Sequence, residues 1–137
     1  MQTEIRSLTA DECDAAYRQA AYALLQDNGW SQRITSLEQF DALVNASSCN
    51  FIALHEGQVI GYIRAITDGL SNGSISMLVV DSAYRKQGVG RDLVQAVINS
   101  APGATWVLCA GHEGSANFFE KLGFEVSSMA MERNRKS

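Results

Sequence analysis

An apolar strand-like run that turns, across two glycines, into a helix pattern occupies residues 75–98, ISMLVVDSAYRKQGVGRDLVQAVI, and nothing else in the chain restricts its fold so narrowly. The run SISMLVV carries apolar residues at both alternating sets of positions, as a strand covered on both faces does. Leu93, Val94, Val97 and Ile98 then recur at the spacing of one helix face, and Ala101-Pro102-Gly103 closes the helix. A second buried-strand pattern, TWVLCA, follows directly. Strand, helix and strand in this order predict a right-handed crossover between parallel strands, and the first turn of such a unit is where a ligand is expected.

Around this unit the sequence predicts a strand over 2–8 and a helix opened by Thr9-Ala10-Asp11-Glu12. Cys13, Ala16, Tyr17, Ala20, Ala21, Leu24 and Leu25 lie on one face of that helix, which stops near Asn28-Gly29. Ser36-Leu37-Glu38-Gln39 opens a shorter helix with Phe40, Leu43 and Val44. CNFIALHEGQVIGYIRAIT reads as a hairpin about Glu56-Gly57, and DGLSNG as a further turn. SANFFEKL predicts a short helix and FEVSSMAME a final strand. The order β, α, α, β, β, β, α, β, α, β, without a repeat or linker, predicts one α/β (α+β) domain over 1–137 with a helix-flanked mixed sheet.

What the turn binds is narrowed by charge. The formal net charge is -4, which excludes a general attraction to nucleic acid or to an anionic membrane, so any anion site is local. The expected partners are therefore neither nucleic acid nor membrane. Cys13, Cys49 and Cys109 are scattered, with neither a disulfide framework nor zinc-ligand spacing, and no metal is expected. The start MQTEIRSLTADE has no apolar leader pattern, and a cytoplasmic location is the expectation.

A helix N-terminus presents amides without intrahelical acceptors, and glycine lets a bulky anion approach them. Arg85, Lys86 and Arg91 concentrate positive charge at that point. A phosphate or pyrophosphate is the natural guest, although plain turn chemistry also explains a G-x-G between strand and helix. The triphosphate loop is excluded because no G-K-[ST] follows. The dinucleotide pattern breaks at Leu93, where a third glycine is required.

The stretch Arg85-Lys86-Gln87-Gly88-Val89-Gly90 resembles the signature [QR]-x-x-G-x-[GA] of the GNAT superfamily of acetyl-coenzyme A-dependent N-acetyltransferases, and FFEKLGF, at 118–124, is similar to its F-Y-x-K-L-G-F block. GW in the first helical loop and GYIRAITDG resemble one small bacterial branch. The resemblance implies a mixed sheet splayed between strands four and five and flanked by about four helices. It implies acetyl-CoA as cosubstrate, with the pyrophosphate on Arg85, Lys86, Gln87, Gly88, Val89, Gly90 and Arg91. Leu78, Val79 and Val80 would offer backbone groups to pantetheine, and the Val79 amide would polarise the thioester carbonyl. Asn117, Phe119 and Lys121 would complete the cofactor side, while Trp30, Tyr62, Arg64 and Asp68 would line the acceptor pocket; the aromatic residues Trp30 and Tyr62 read equally well as ordinary core. The implied reaction is direct transfer of an acetyl group to a primary amine of a small molecule or peptide.

Many relatives carry a tyrosine where this chain has Phe119, a ring with no proton to donate. Candidate bases for the amine are His112 with Glu113, Asp68 and Asp81, each of which also reads as an ordinary turn residue or cap. Cys109 reads as a core residue rather than a covalent nucleophile, and His55 as structural or solvated. Two other functions stay open: a non-catalytic acyl-CoA-binding sensor or interaction module, and a site for a different anion. A homodimer paired through the final strand or its neighbour is a further expectation.

Overall fold

The structure is a computed structural model, and it describes residues 2–110 and 115–134. Strands β1 (Glu4–Ser7), β2 (Cys49–His55), β3 (Gln58–Thr67), β4 (Asn72–Val80) and β5 (Thr105–Leu108) form one sheet in sequence order. The first three pairings are antiparallel and β4 with β5 is parallel, as the crossover through α3 (Val89–Ser100) requires. The remaining helices are α1 (Ala15–Asp27), α2 (Leu37–Ala46) and α4 (Ser115–Glu120).

Because β2, β3 and β4 are covered on both faces, the chain has two cores. Leu24, Leu25, Phe40 and Val44 of α1 and α2 meet Ile52, Leu54, Tyr62, Met77 and Val79 on one face. On the other, Val89, Leu93, Val94 and Val97 of α3 meet Ala53, Ile60, Ile63 and Ile75. The i, i+4, i+5, i+8 spacing of those α3 residues places all four on the buried side. Leu93 is fully buried, and cutting it to alanine would cost about 2–5 kcal/mol.

Local chemistry sets the ends of the helices. Ser36 accepts a hydrogen bond from the Gln39 amide at 3.1 Å, capping α2 as its sequence predicts. The expected cap at Thr9 is replaced. Asp14 accepts from the Thr9 amide and hydroxyl, both at 2.8 Å, so a 3₁₀ turn over Glu12–Asp14 precedes α1. Burial pushes the Asp14 carboxyl up, yet the bonds from Thr9 and the charges of Arg6 and Arg18 outweigh it and hold the group below its ordinary value.

Two sequence expectations are corrected at the C-terminal side. β5 is an edge strand rather than a buried one: among the described residues it pairs with β4 alone, and its side chains alternate between exposed and half-buried. The final strand expected over 124–132 does not form. Apolar Phe124, Val126, Met129 and Met131 change phase across Ser127-Ser128, where the Ser127 hydroxyl accepts from the Met129 amide at 3.2 Å and makes a local turn.

Candidate active site

The parallel pairing runs from Asn72↔Thr105 to Ile75↔Leu108 and then stops. β4 continues to Val80 while β5 ends, so the strands share one joined end and open toward the other. At the joined end the Trp106 indole lies over Gly73, whose Cβ would stand 2.3 Å from the ring, and only glycine fits there. From Ser76 to Val80 the open side of β4 is about 13 Å long at the usual rise.

Which backbone groups line that opening follows from alternation along β4. The Asp81 amide donates to the Ile60 carbonyl of the β3 side at 2.8 Å, and the Val80 carbonyl accepts from Arg85 Nε at 3.2 Å, away from the sheet. Successive residues of a strand direct their amide and carbonyl to opposite edges. Leu78 and Val80 therefore face the opening, and Val79, opposite Tyr62, faces β3. This corrects the assignment of the oxyanion donor to Val79.

The wide end of the opening meets the glycine turn. Gly88 caps α3 with φ +88°, a left-handed conformation that directs the chain sharply from the preceding turn into the helix. Asp92 is the first residue whose amide finds the capping carbonyl, at 3.0 Å from Gly88, which leaves the amides of Val89, Gly90 and Arg91 as the outward donors of the first turn. Lys86 also has positive φ, 64°, tightening the approach. Arg85, Lys86, Gln87 and Arg91 are exposed around these amides, and Gln87 Nε2 donates to the Ala83 carbonyl at 3.4 Å. The guanidinium of Arg85 is pinned by Val80 and by the Asn28 side-chain oxygen at 3.0 Å, tying the turn to the end of α1.

On its other side the turn is backed by α4. A Cβ on Gly90 would lie 3.1 Å from the tip of Phe118, so the missing side chain lets that ring close over the start of α3. Phe119 is buried and stands edge-on to Phe118 and Phe124, with centroids 4.9 and 5.6 Å away. Asn117 and Lys121 are exposed and are linked by a 3.3 Å bond from the Lys121 amide to the Asn117 carbonyl.

The acceptor-side candidates divide. Tyr62 is fully buried and donates to Asn50 Oδ1 at 2.6 Å; it belongs to the core, not to a pocket wall. Burial pushes its phenol far above the ordinary value, with the charge of Arg64 acting the other way. Trp30 is half-buried against the same core, its amide bound to the Leu25 carbonyl. Arg64 is half-buried beside the opening, donating to the hydroxyls of Ser47 at 2.6 Å and Ser76 at 2.7 Å.

Asp68 is corrected as a base and as a pocket residue. It is exposed at the β3–β4 turn, where the Ser71, Leu70 and Asn72 amides and the Ser71 hydroxyl all donate to it, holding the carboxyl far below its ordinary range. Asp81 caps the Ala83 amide at 2.9 Å. His112 and Glu113 lie outside the described residues. Cys109, read from sequence as core, is exposed; a hydrogen bond to Glu132 at 3.3 Å, and that carboxylate's charge, push its thiol up. Sequence reasoning missed Asn28, because Asn28-Gly29 reads only as a helix stop; Phe118 belongs to the FFEKLGF block, but its approach to Gly90 is not visible in that pattern.

A model of the family described as "Acetyltransferase (GNAT) family" matches residues 4–124. The chain is 27% identical over 101 residues to an uncharacterized protein, YyaT, of Bacillus subtilis (strain 168), covering 71% of this chain and 68% of the relative. Among solved structures, an acetyltransferase of the GNAT family from Streptococcus pneumoniae TIGR4 superposes with a TM-score of 0.77 at 22% identity, over 98% of this chain and 100% of the other. An aminoglycoside 6'-N-acetyltransferase complexed with coenzyme A gives 0.75 at 20% identity, over 91% and 86%.

Proposed function

Given that the chain belongs to the GNAT acetyltransferase family, we propose that it transfers an acetyl group from acetyl-CoA to a primary amine of a small molecule or peptide. The observation that carries this reading is the conjunction at one point of outward amides, a left-handed Gly88 cap, three exposed cations and the end of an unpaired strand edge. These residues fit coenzyme A: Arg85, Lys86 and Arg91 with the amides of residues 89–91 for the pyrophosphate, and the edge groups of Leu78 and Val80 for an extended amide-bearing arm. Phe119 and Phe118 supply an apolar wall behind the turn.

Bound there, acetyl-CoA supplies an acetyl group activated as a thioester. In the proposed reaction the amine nitrogen forms a bond to the acyl carbon, the carbon–sulfur bond breaks, and the amine sheds one proton. An edge amide of Leu78 or Val80 stabilises the negative charge that develops on the acyl oxygen, a contribution of about 2.7–4 kcal/mol where such donors are removed. An alkylamine with pKa near 10.4 costs roughly 4–5 kcal/mol to deprotonate at pH 7, so a proton acceptor is needed. Asp68 is too acidic and too far engaged in its own turn to serve. Water, or His112 just beyond β5, takes that role in this reading.

Phe119, which has no hydroxyl to protonate a departing thiolate, favours a second reading: binding of acyl-CoA without turnover. Loss of a general acid slows departure of a thiol of pKa near 8.5 by only about 2 kcal/mol at pH 7, which keeps catalysis ahead. Calorimetric titration with acetyl-CoA tests the site. Arg85→Glu is expected to weaken binding at least tenfold, and unchanged affinity would remove the turn from the site. Free CoA released in an amine screen separates the enzyme from the binding module.

A further inference from the structure

Arg64 is the feature that the acetyl-transfer chemistry above does not use. Its head group is held by two neutral hydroxyls, Ser47 Oγ on Nε in a part-buried contact and Ser76 Oγ on Nη1 at the surface. No carboxylate among the described residues lies within ion-pair distance of it. The contrast with Arg18 is direct. That buried guanidinium has Asp41 at 2.9 Å and accepts no such deficit, since the carbonyls of Thr9 and Asp11 take its other nitrogen. A half-buried guanidinium without an anion is a site prepared for one, and its planar fork matches a carboxylate at two nitrogens.

Position supplies the second half. Ser76 directly follows Ile75, the last β4 residue paired with β5, and it is the extra residue where β4 bulges against β3 between Arg64 and Ala65. Nη1 therefore reaches the narrow end of the opening, from the face that carries Tyr62, Met77 and the end of α2. The phosphate-binding turn is at the wide end, about 13 Å along the strand. A ligand lying in the opening with its phosphates on the turn brings its reacting end toward Arg64.

We infer that Arg64 is a specificity-determining residue that selects amine acceptors bearing a carboxylate, of the amino-acid or acidic-peptide kind. This rests on the acetyl-transfer reading. A carboxylate would pair with Arg64 Nη2 and share Nη1 with Ser76, placing the acceptor amine near the narrow end of the opening. Polycationic acceptors are disfavoured by the same charge, because a cation a few ångströms from an unneutralised guanidinium is repelled in a partly desolvated site.

The test uses the full chain saturated with acetyl-CoA and a panel of α-amino acids paired with their primary amides, read by CoA release. The wild type is expected to prefer the acid over its amide by at least tenfold in kcat/KM. Arg64→Met brings that ratio to about one by raising KM for the acids, and Arg64→Lys keeps part of it; acetyl-CoA affinity is unchanged in both. An acid-to-amide ratio near one in the wild type, a ratio that survives in Arg64→Met, or an equal loss of kcat for acids and amides overturns the assignment. Binding of the same acids to the CoA-saturated protein, followed by calorimetry, separates the two readings. Arg64-dependent binding of acids with no CoA released from any amine keeps Arg64 as a carboxylate site and sinks acetyl transfer, whereas neither binding nor turnover of acids sinks the inference.

Discussion

Replacing Gly88 with alanine separates the two duties of the turn. Left-handed backbone costs an L-residue roughly 1–2 kcal/mol, and at φ +88° alanine pays this in full. The new Cβ would also stand 2.7 Å from Arg91 Nη2. That atom ends a flexible side chain that, among the described residues, is held by Asp92 alone at 3.4 Å, so the guanidinium moves and the backbone does not. Stability is expected to fall by about 1–2 kcal/mol, near 3–8 °C in Tm for a domain of this size. Displacing Arg91 removes one charge-assisted contact to the pyrophosphate, about 1.5 kcal/mol at this exposed position and therefore roughly tenfold in affinity. Thermal melts and calorimetry with CoA measure the two losses, and Arg91→Ala is the control, losing the affinity but not the Tm. If Gly88→Ala melts within 1 °C of wild type and binds CoA within about twofold, the left-handed cap is not what builds the site.

Gly73→Ala is expected to cost more than 2 kcal/mol, because the Trp106 ring that meets the new Cβ cannot retreat without opening the β4–β5 register; a melt within 0.5 kcal/mol of wild type refutes it. Cys109→Ser is expected to keep CoA release, since a thiol whose pKa is pushed up by Glu132 is a poor nucleophile, and Glu132→Gln should speed its alkylation at pH 7.5; an acyl-enzyme trapped on Cys109 would show the reverse. The Asp68 carboxyl is lower in the folded than in the unfolded chain, so its stabilising contribution is whole above about pH 4 and is lost as pH falls below that. Melts from pH 7 to pH 2 should show an acid loss smaller in Asp68→Asn than in wild type, and equal losses would remove Asp68 from it.

The parts of the fold governed by local pattern were readable: the two-face apolar run of β4, the 3.6 period of α3 and the Ser36 cap depend on residues near one another in sequence. So was the glycine turn, because its unusual backbone demands a particular residue at position 88. The parts that failed depend on what covers a segment. TWVLCA has the composition of a buried strand, but β5 lies at the edge of the sheet among the described residues and Val107, paired with the exposed Ser74, is itself 53% exposed. Tyr62 and Arg64 are two residues apart on one face of β3, and only Asn50 and Ser47, brought over from beyond α2, decide which is core and which is head group at the opening. Val79 was misassigned for a related reason: the direction of a backbone amide depends on register against β3, which no single-strand pattern contains.

The four-residue register between β4 and β5 has a consequence for how such a site can change. Its last pair, Ile75 with Leu108, marks the origin of the opening, and that origin is counted off from the short connection at 101–104. Adding or deleting one residue in the connection would slide β5 by one step, about 3.3 Å, and turn its side chains over to the opposite face. The depth of the opening is in that sense a length written into a loop outside both strands, and it can change only in jumps.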